Sequence, residues 1–320
     1  MNLRVTDALR ASVTAALMGG SCAALGAGFY LSEVGTPGSL GTAGVANPTN
    51  TFTADASWTN PAGMTGIDQE HLLAGAQLIL PSIKFHSKDT TNTAGPSRVQ
   101  GDDGGNAGVI APVPSFFYVR PLSDRARFGF SLTGPLGGGL DYGSDFVGRY
   151  ALRDVTLIGV GFTPSFAYRV TDKLSLGAGV SAIYTRLDQS IAVRQGAPAP
   201  STDGRAKFEG LDDWGFQGIL SLTYEFSDRL LLGAVYRSEA DINLKGDLDF
   251  RGVGAPLPDS DTKISWTNPQ WLEVGLRYRV TDATTLFFNG GWQEWSKFSN
   301  NQISFENNNV KVLDRNWDDT

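Results

Sequence analysis

The sequence predicts an all-β protein, a transmembrane antiparallel β-barrel, from three observations. Apolar and polar residues alternate with period two over long stretches, which is the strand period. One turn recurs about every fifty residues, with its aspartates at Asp124, Asp172, Asp228 and Asp282. The connections are short at that end of the hairpins and long and polar at the other, the mark of an outer-membrane barrel.

The chain opens with a segment that reads as a signal peptide over residues 1–26. Arg4 and Arg10 supply a basic start, Ala11 to Met18 form a short apolar core, and small residues follow in "GGSCAALGAG". Cleavage is expected after Gly26. The apolar run is too short and Gly-broken to span a bilayer as a helix. Cys22, the only cysteine, lies in this segment; Gly19 and Gly20 make a poor lipobox for it. The mature chain then has no thiol, as suits an exported protein stable without disulfides.

Residues 27–68 come next. They are rich in Gly, Ala, Thr and Asn, show no sustained alternation, and end at "SWTNPAGMTG". A barrel wide enough for solvent needs a plug, and an ordered segment here would serve as a hatch. Asn-Pro followed by Ala-Gly breaks both helices and strands, yet Trp58 and Met64 give the breaker apolar shoulders.

The barrel is expected over 69–320, with nine strands near 70–80, 113–119, 126–134, 156–170, 174–187, 206–226, 230–249, 263–280 and 284–305. In "LSLGAGVSAIY", Leu174, Leu176, Ala178, Val180, Ala182 and Tyr184 share one face, and Ser175, Gly177, Gly179 and Ser181 the other. "WGFQGILSLTYEF" and "LEVGLRYRV" repeat the pattern. The turns "YRVTDKLSLG", "YEFSDRLLLG" and "YRVTDATTLF" share one plan, and Ser/Thr-Asp favours tight turns through local side-chain hydrogen bonds. Tyr168, Tyr224 and Tyr278 each precede a turn aspartate by four residues on the apolar face. Three rings at one height suit an interfacial girdle. A soluble sandwich also alternates, but it accounts less well for the export signal, the asymmetric loops and the levelled tyrosines. Bacterial single-chain barrels have an even strand number, and "DRNWDDT" is an unusual barrel end. The chain is therefore expected to be a fragment cut as a tenth strand begins.

Other chemistry is poorly supported. A net charge of −7 without Lys/Arg clusters argues against nucleic acid. Two histidines, His71 and His86, and no mature cysteine leave little for metal or nucleophile chemistry, so neither a cofactor nor an enzyme is expected. "GPLGGG" lacks the Lys-Ser/Thr of a phosphate loop. The acids of "GDDGG" and "DRNWDD" read as solvated loop residues, or as bridges through divalent ions to lipopolysaccharide.

The set "AGFYLSEVGTPGSLGTAGVA", "WTNPAGM", "DFVGRYALRD" and the "YRVTD" turns, in this order, resembles the long-chain fatty acid and aromatic-hydrocarbon transporters of the Gram-negative outer membrane. The resemblance implies a fourteen-stranded barrel with an N-terminal hatch, of which about five strands are missing here. It implies an Asn-Pro-Ala element, here Asn60, Pro61 and Ala62, beside a kink in the third strand that opens the wall sideways. In "ARFGFSLTGPLGGG", Gly134 and Pro135 break the ladder and are the expected lateral gate. Passive uptake of hydrophobic solutes (fatty acid, alkane or aromatic) across the outer membrane is then expected. Phe146, Tyr150, Leu152 and Val155 would collect the ligand outside. A second site would lie near Phe29, Leu31 and Asn60 to Ala62. The expected partners are that ligand, outer-membrane lipid and lipopolysaccharide, with the protein monomeric. The alternatives are a general aqueous porin, with charged rings around an unobstructed lumen, or a structural barrel.

Overall fold

A computed structural model describes residues 34–88, 91–92, 95–194, 199–253, 260–305, 308–314 and 319. The expected signal peptide, and Phe29 and Leu31, lie outside the described residues. Two short helices come first, α1 (Pro37–Gly41) and α2 (Ala56–Thr59), with 3-10 turns at Asn47–Thr49 and Pro61–Gly66. The strands are β1 (His71–Ile79), β2 (Thr91–Asn92), β3 (Gly95–Arg98), β4 (Ala111–Pro121), β5 (Ala126–Asp141), β6 (Asp154–Arg169), β7 (Leu174–Val193) and β8 (Gly204–Ser227). They continue with β9 (Leu230–Arg237), β10 (Ala240–Arg251), β11 (Ser260–Asn268), β12 (Trp271–Thr281), β13 (Thr284–Gln293), β14 (Asn300–Phe305) and β15 (Asn308–Asp314).

Thirteen strands form one antiparallel sheet, whose path β1-β4-β5-β6-β7-β8 divides into β10-β11-β14-β15 and β9-β12-β13, and β2 pairs β3 apart from it. The nine-strand expectation is corrected at two kinds of place. β5 runs on to Asp141 and so carries Gly134 and Pro135 inside it. The last three expected strands are each broken, into β9 and β10, β11 and β12, β13 and β14. The breaks stand side by side, because Trp271 pairs with both Arg237 and Gln293. Pro269 offers no N–H there. Beside it, Gly218 N donates to the Ser238 hydroxyl at 2.9 Å.

The tight turns form where the sequence places them, joining β4–β5, β6–β7, β8–β9 and β12–β13. The hydroxyl before each aspartate makes the local bond. Leu174 N donates to Thr171 Oγ1 at 3.0 Å, Ala126 N to Ser123 Oγ at 3.1 Å and Ala283 N to Thr281 Oγ1 at 3.3 Å.

The two faces of the sheet separate as the alternation requires. Leu176, Val180, Trp214, Leu272, Val274, Leu276 and Tyr278 are exposed, with Phe216 and Leu220 at 64% and 62%. Ser175, Ser181, Gln217, Ser221 and Thr223 are buried on the other face. A continuous apolar outer band with a buried polar inner face inverts a soluble sandwich and needs lipid around it. What buries the inner face is the N-terminal segment: Val34, Ala54, Trp58, Met64 and Ile67 pack with Phe117, Val119 and Ala167.

Candidate functional site

The segment 34–67 is held on the inner face by its own sequence. Thr36 and Pro37 start α1, and Thr36 Oγ1 donates to the buried Asp55 Oδ2 at 2.6 Å. Asn60 caps the second 3-10 turn, with Pro61 at its first position, where the missing N–H costs nothing. The Asn60 Oδ1 accepts from Ala62 N at 3.1 Å. Its Nδ2 donates to Pro48 O and, at 3.2 Å, to Leu222 O of β8. Ala62 N also donates to Ser221 Oγ at 3.0 Å. The Asn-Pro-Ala element therefore sits against β7 and β8. The Asn60 side chain thus bonds to Ala62, Pro48 and Leu222, and none of these bonds goes to the expected kink at Gly134 and Pro135.

Four inward arginines fasten the segment by donating to its carbonyl oxygens. Arg127 Nε reaches Ile67 O at 2.6 Å, Arg169 reaches Thr65 O, Arg237 reaches Trp58 O and Arg277 reaches Thr49 O at 3.0 Å. The Arg237 guanidinium also lies 4.5 Å from the Trp58 ring centroid and 5.0 Å from that of Trp271. Charge-assisted bonds and cation–π contact are at their strongest in such a desolvated setting. Sequence reasoning missed this set, since no local signal links an arginine to a carbonyl 179 positions away. Close approach requires glycine at several places on the wall, most sharply at two. A Cβ on Gly75 would lie 1.7 Å from Gly35 O, and one on Gly233 1.7 Å from Pro48 O.

The wall is interrupted at β4–β5. Leu122 N donates to Ala126 O at 2.9 Å, which makes the hydrogen-bonded pairs above it Arg120–Phe128, Tyr118–Phe130 and Phe116–Leu132. Pairing ends there. The next two such positions would be Pro114 opposite Gly134 and Pro112 opposite Leu136, and proline donates no hydrogen bond. β4 keeps its full register with β1 on its other edge. On the far side of β5 the ladder with β6 jumps from Thr133–Gly161 to Leu136–Gly159, so Gly134 and Pro135 form a bulge against Val160. The break at Gly134 and Pro135 is where the sequence put it, but its lasting edge faces β4. Pro112 and Pro114 were missed, although "PVP" at alternate strand positions was a readable signal. The gap is closed off above, where Val109 N donates to Gly139 O at 3.1 Å and Asp141 N to Ala107 O at 2.8 Å. Val113 covers it from inside, its Cγ1 2.7 Å from the place of a Gly134 Cβ.

At the loop end the expected capture residues divide. Phe146 is buried, stacked on Tyr142 at 4.2 Å and edge-on to Phe85 at 5.2 Å, so its ring is used in loop packing. Tyr150 donates to Asp203 at 2.8 Å. Burial, then the Asp203 bond, raise its pKa above the ordinary 10.0. Leu152 is half-buried in the turn where its N–H donates to Gly148 O at 3.1 Å. Val155 alone joins a luminal apolar cluster of Leu187, Phe208, Leu211, Ile242, Trp266 and Phe298. The residue that organises the loops is Arg149, fully buried. Its Nε donates to Asp203 Oδ2 at 2.7 Å and its Nη1 to Gln100 O at 2.6 Å, tying three loops together. The sequence-predicted site residues thus fall in three places: the inner wall at β7–β8, the interrupted wall at β5, and the loop end.

An antiparallel sheet with a lipid-facing band, a segment fastened across its inner face and an interrupted wall define an outer-membrane barrel of the transport class. The chain belongs to the family described as Outer membrane protein transport protein (OMPP1/FadL/TodX), whose model matches residues 17–320. It is 27% identical to the long-chain fatty acid transport protein of Escherichia coli (strain K12), covering 87% of this chain and 69% of that one. It is similar in structure to a Pseudomonas aeruginosa FadL homologue, with TM-score 0.75 and 21% identity over 92% of this chain and 76% of the other. It is also similar to the Pseudomonas putida toluene transporter TodX, with TM-score 0.63 and 22% identity over 92% and 77%. The family consists of transport channels for hydrophobic compounds in the Gram-negative outer membrane, not enzymes.

Proposed function

We propose that this chain moves hydrophobic solutes passively through the outer membrane and releases them sideways, between β4 and β5. The observation that carries this reading is the edge of β4 on which Pro112 and Pro114 leave the ladder without donors beyond Phe116–Leu132. The route begins at the loop end, where Val155 and the apolar cluster line the lumen. Residues 34–67 act as the hatch that denies a straight path to the periplasm. Asn60, Pro61 and Ala62 hold it to β7–β8, while Gly134 and Pro135 shape the exit. A greasy solute has no reason to enter aqueous periplasm, and leaving into lipid gains about 0.8 kcal/mol per buried CH₂. No energy source is required. The solute class includes fatty acids, as the E. coli relative's name indicates, and aromatics, as that of TodX indicates. Outer-membrane lipid and lipopolysaccharide surround a monomer in this reading.

The test restores the missing donors. Pro112→Thr with Pro114→Thr returns two N–H groups and raises strand propensity on the open edge. Uptake of a long-chain hydrophobic solute should fall to background while the barrel keeps its heat-modifiable shift on gels. Undiminished uptake by a folded variant would remove the lateral route.

A further inference from the structure

We infer that the inner mouth of the β4–β5 gap is a station for an uncharged oxygen head group, so that the gap favours aliphatic alcohols and protonated carboxylic acids over bare hydrocarbons. The inference rests on the lateral-exit reading and refines its substrate class. On the inner face beside the gap, Ser115 of β4 and Ser131 and Thr133 of β5 are 6%, 0% and 2% exposed, and their hydroxyls have no hydrogen-bond partner. The Oε1 of Gln77 on β1 is buried without a partner as well. Register brings these four together. Ser131 pairs with Phe117, two residues from Ser115 on the same face of β4. Ser115 lies opposite Gly75, and Gln77 opposite Val113, the residue that covers the gap.

Further round the wall the same residue types are satisfied. Thr163 Oγ1 donates to Ser181 Oγ at 2.9 Å, and Ser165 Oγ donates to Ser57 O at 3.0 Å. Among the described residues, the one other unpartnered buried hydroxyl is that of Thr185 on β7. Buried hydroxyls are normally paired, so a group of them at one aperture marks a place where something that hydrogen-bonds stops. Each hydroxyl can donate and accept, and the amide of Gln77 can do either. The nearest inward cation along β5, Arg127, is engaged with Ile67 O and Asp68. A carboxylate would therefore meet no free countercharge here, whereas an alcohol or a protonated acid can both give and take a bond. A hydrocarbon would leave all four groups unpaired.

The test compares decane, 1-decanol and decanoic acid, at pH below and above the acid's own pKa. Uptake is measured in cells carrying the full-length protein, as wild type and as the triple variant Ser115→Ala, Ser131→Ala, Thr133→Val. Wild type should favour decanol, and the protonated acid, over decane. The triple variant should lose roughly tenfold of the decanol rate, the worth of one hydrogen bond, and leave the decane rate unchanged. The single variant Ser131→Ala, which removes one oxygen from a residue with no partner to lose, guards against misfolding and should show part of the effect. An unchanged decanol-to-decane ratio would overturn the inference, and equal loss for both solutes would show that the hydroxyls hold solvent rather than head groups. If decane and decanol both remain blocked by closing the wall while the ratio is flat, lateral exit stands and the station does not. If closing the wall blocks neither, both fall.

Discussion

A reversible staple across the gap probes the exit while leaving the fold's other contacts in place. The perturbation is Val113→Cys with Gly134→Cys. A Cβ built on Gly134 lies 4.0 Å from the Val113 Cβ, inside the roughly 3.5–4.5 Å that a disulfide spans. The Val113 Cγ1 that crowds the position at 2.7 Å is removed by the same change. Gly134 is not among the residues with positive φ, so a side chain there carries no backbone strain. The closed loop holds about 20 residues, which in the chain-entropy account stabilises by about 3 kcal/mol. Losing the valine methyls costs about 1 kcal/mol. The oxidised variant should thus be at least as stable as the parent, and a loss of uptake cannot be ascribed to unfolding. Uptake of a labelled long-chain solute is measured in cells before and after reductant. The oxidised variant should fall to the level of cells without the protein and recover on reduction. Val113→Cys alone controls for the substitution itself, since Cys22 lies in the expected signal peptide. Complete disulfide formation, shown by mass, with undiminished uptake would refute the reasoning.

Further expectations concern the loops, the inner segment and the lipid face. Arg149→Ala strands the buried Asp203, a loss of about 3–5 kcal/mol; it should expose loops 86–108 and 194–206 to protease while the strands stay protected. Because the folded Tyr150 pKa is raised, its contribution is whole below the unfolded value of about 10 and is lost as pH climbs through the folded one. Tyr150→Phe should abolish that alkaline step in loop protection. Gly233→Ala drives a methyl into Pro48 O and should unseat residues 34–67, read as faster liposome swelling by small sugars; unchanged swelling would deny that the segment seals the lumen. Leu220→Arg on the exposed face should destabilise by about 2–4 kcal/mol if it lies near the bilayer midplane, measured by urea unfolding in lipid.

The sheet and its inside and outside were legible because a lipid-facing strand must alternate, and each turn is set by a hydroxyl two or three residues from the amide it accepts from. The breaks at Ser238, Pro269 and Glu294 were harder to read. A single interruption reads as noise until the strands are laid side by side, and only pairing through Trp271 shows them as one line. The strand break was legible where the chemistry is local, at Gly134-Pro135. The site was illegible where a bond joins distant parts of the chain. Arg149 finds Asp203, and Arg237 finds Trp58, only after the sheet has curved. Phe146 looked like a capture residue because an exposed and a packed aromatic are written with the same letter.

The most direct test of the lateral exit is the position of a bound solute in the full-length protein. Crystals soaked with a long-chain fatty acid brominated at its tail would place the bromine by anomalous scattering. The account predicts density in the gap bounded by Val113, Pro114, Gly134 and Pro135, with the chain leading back to the luminal cluster near Val155. Bromine found past residues 34–67 at the tight-turn end of the lumen, with the β4–β5 gap empty, would contradict it.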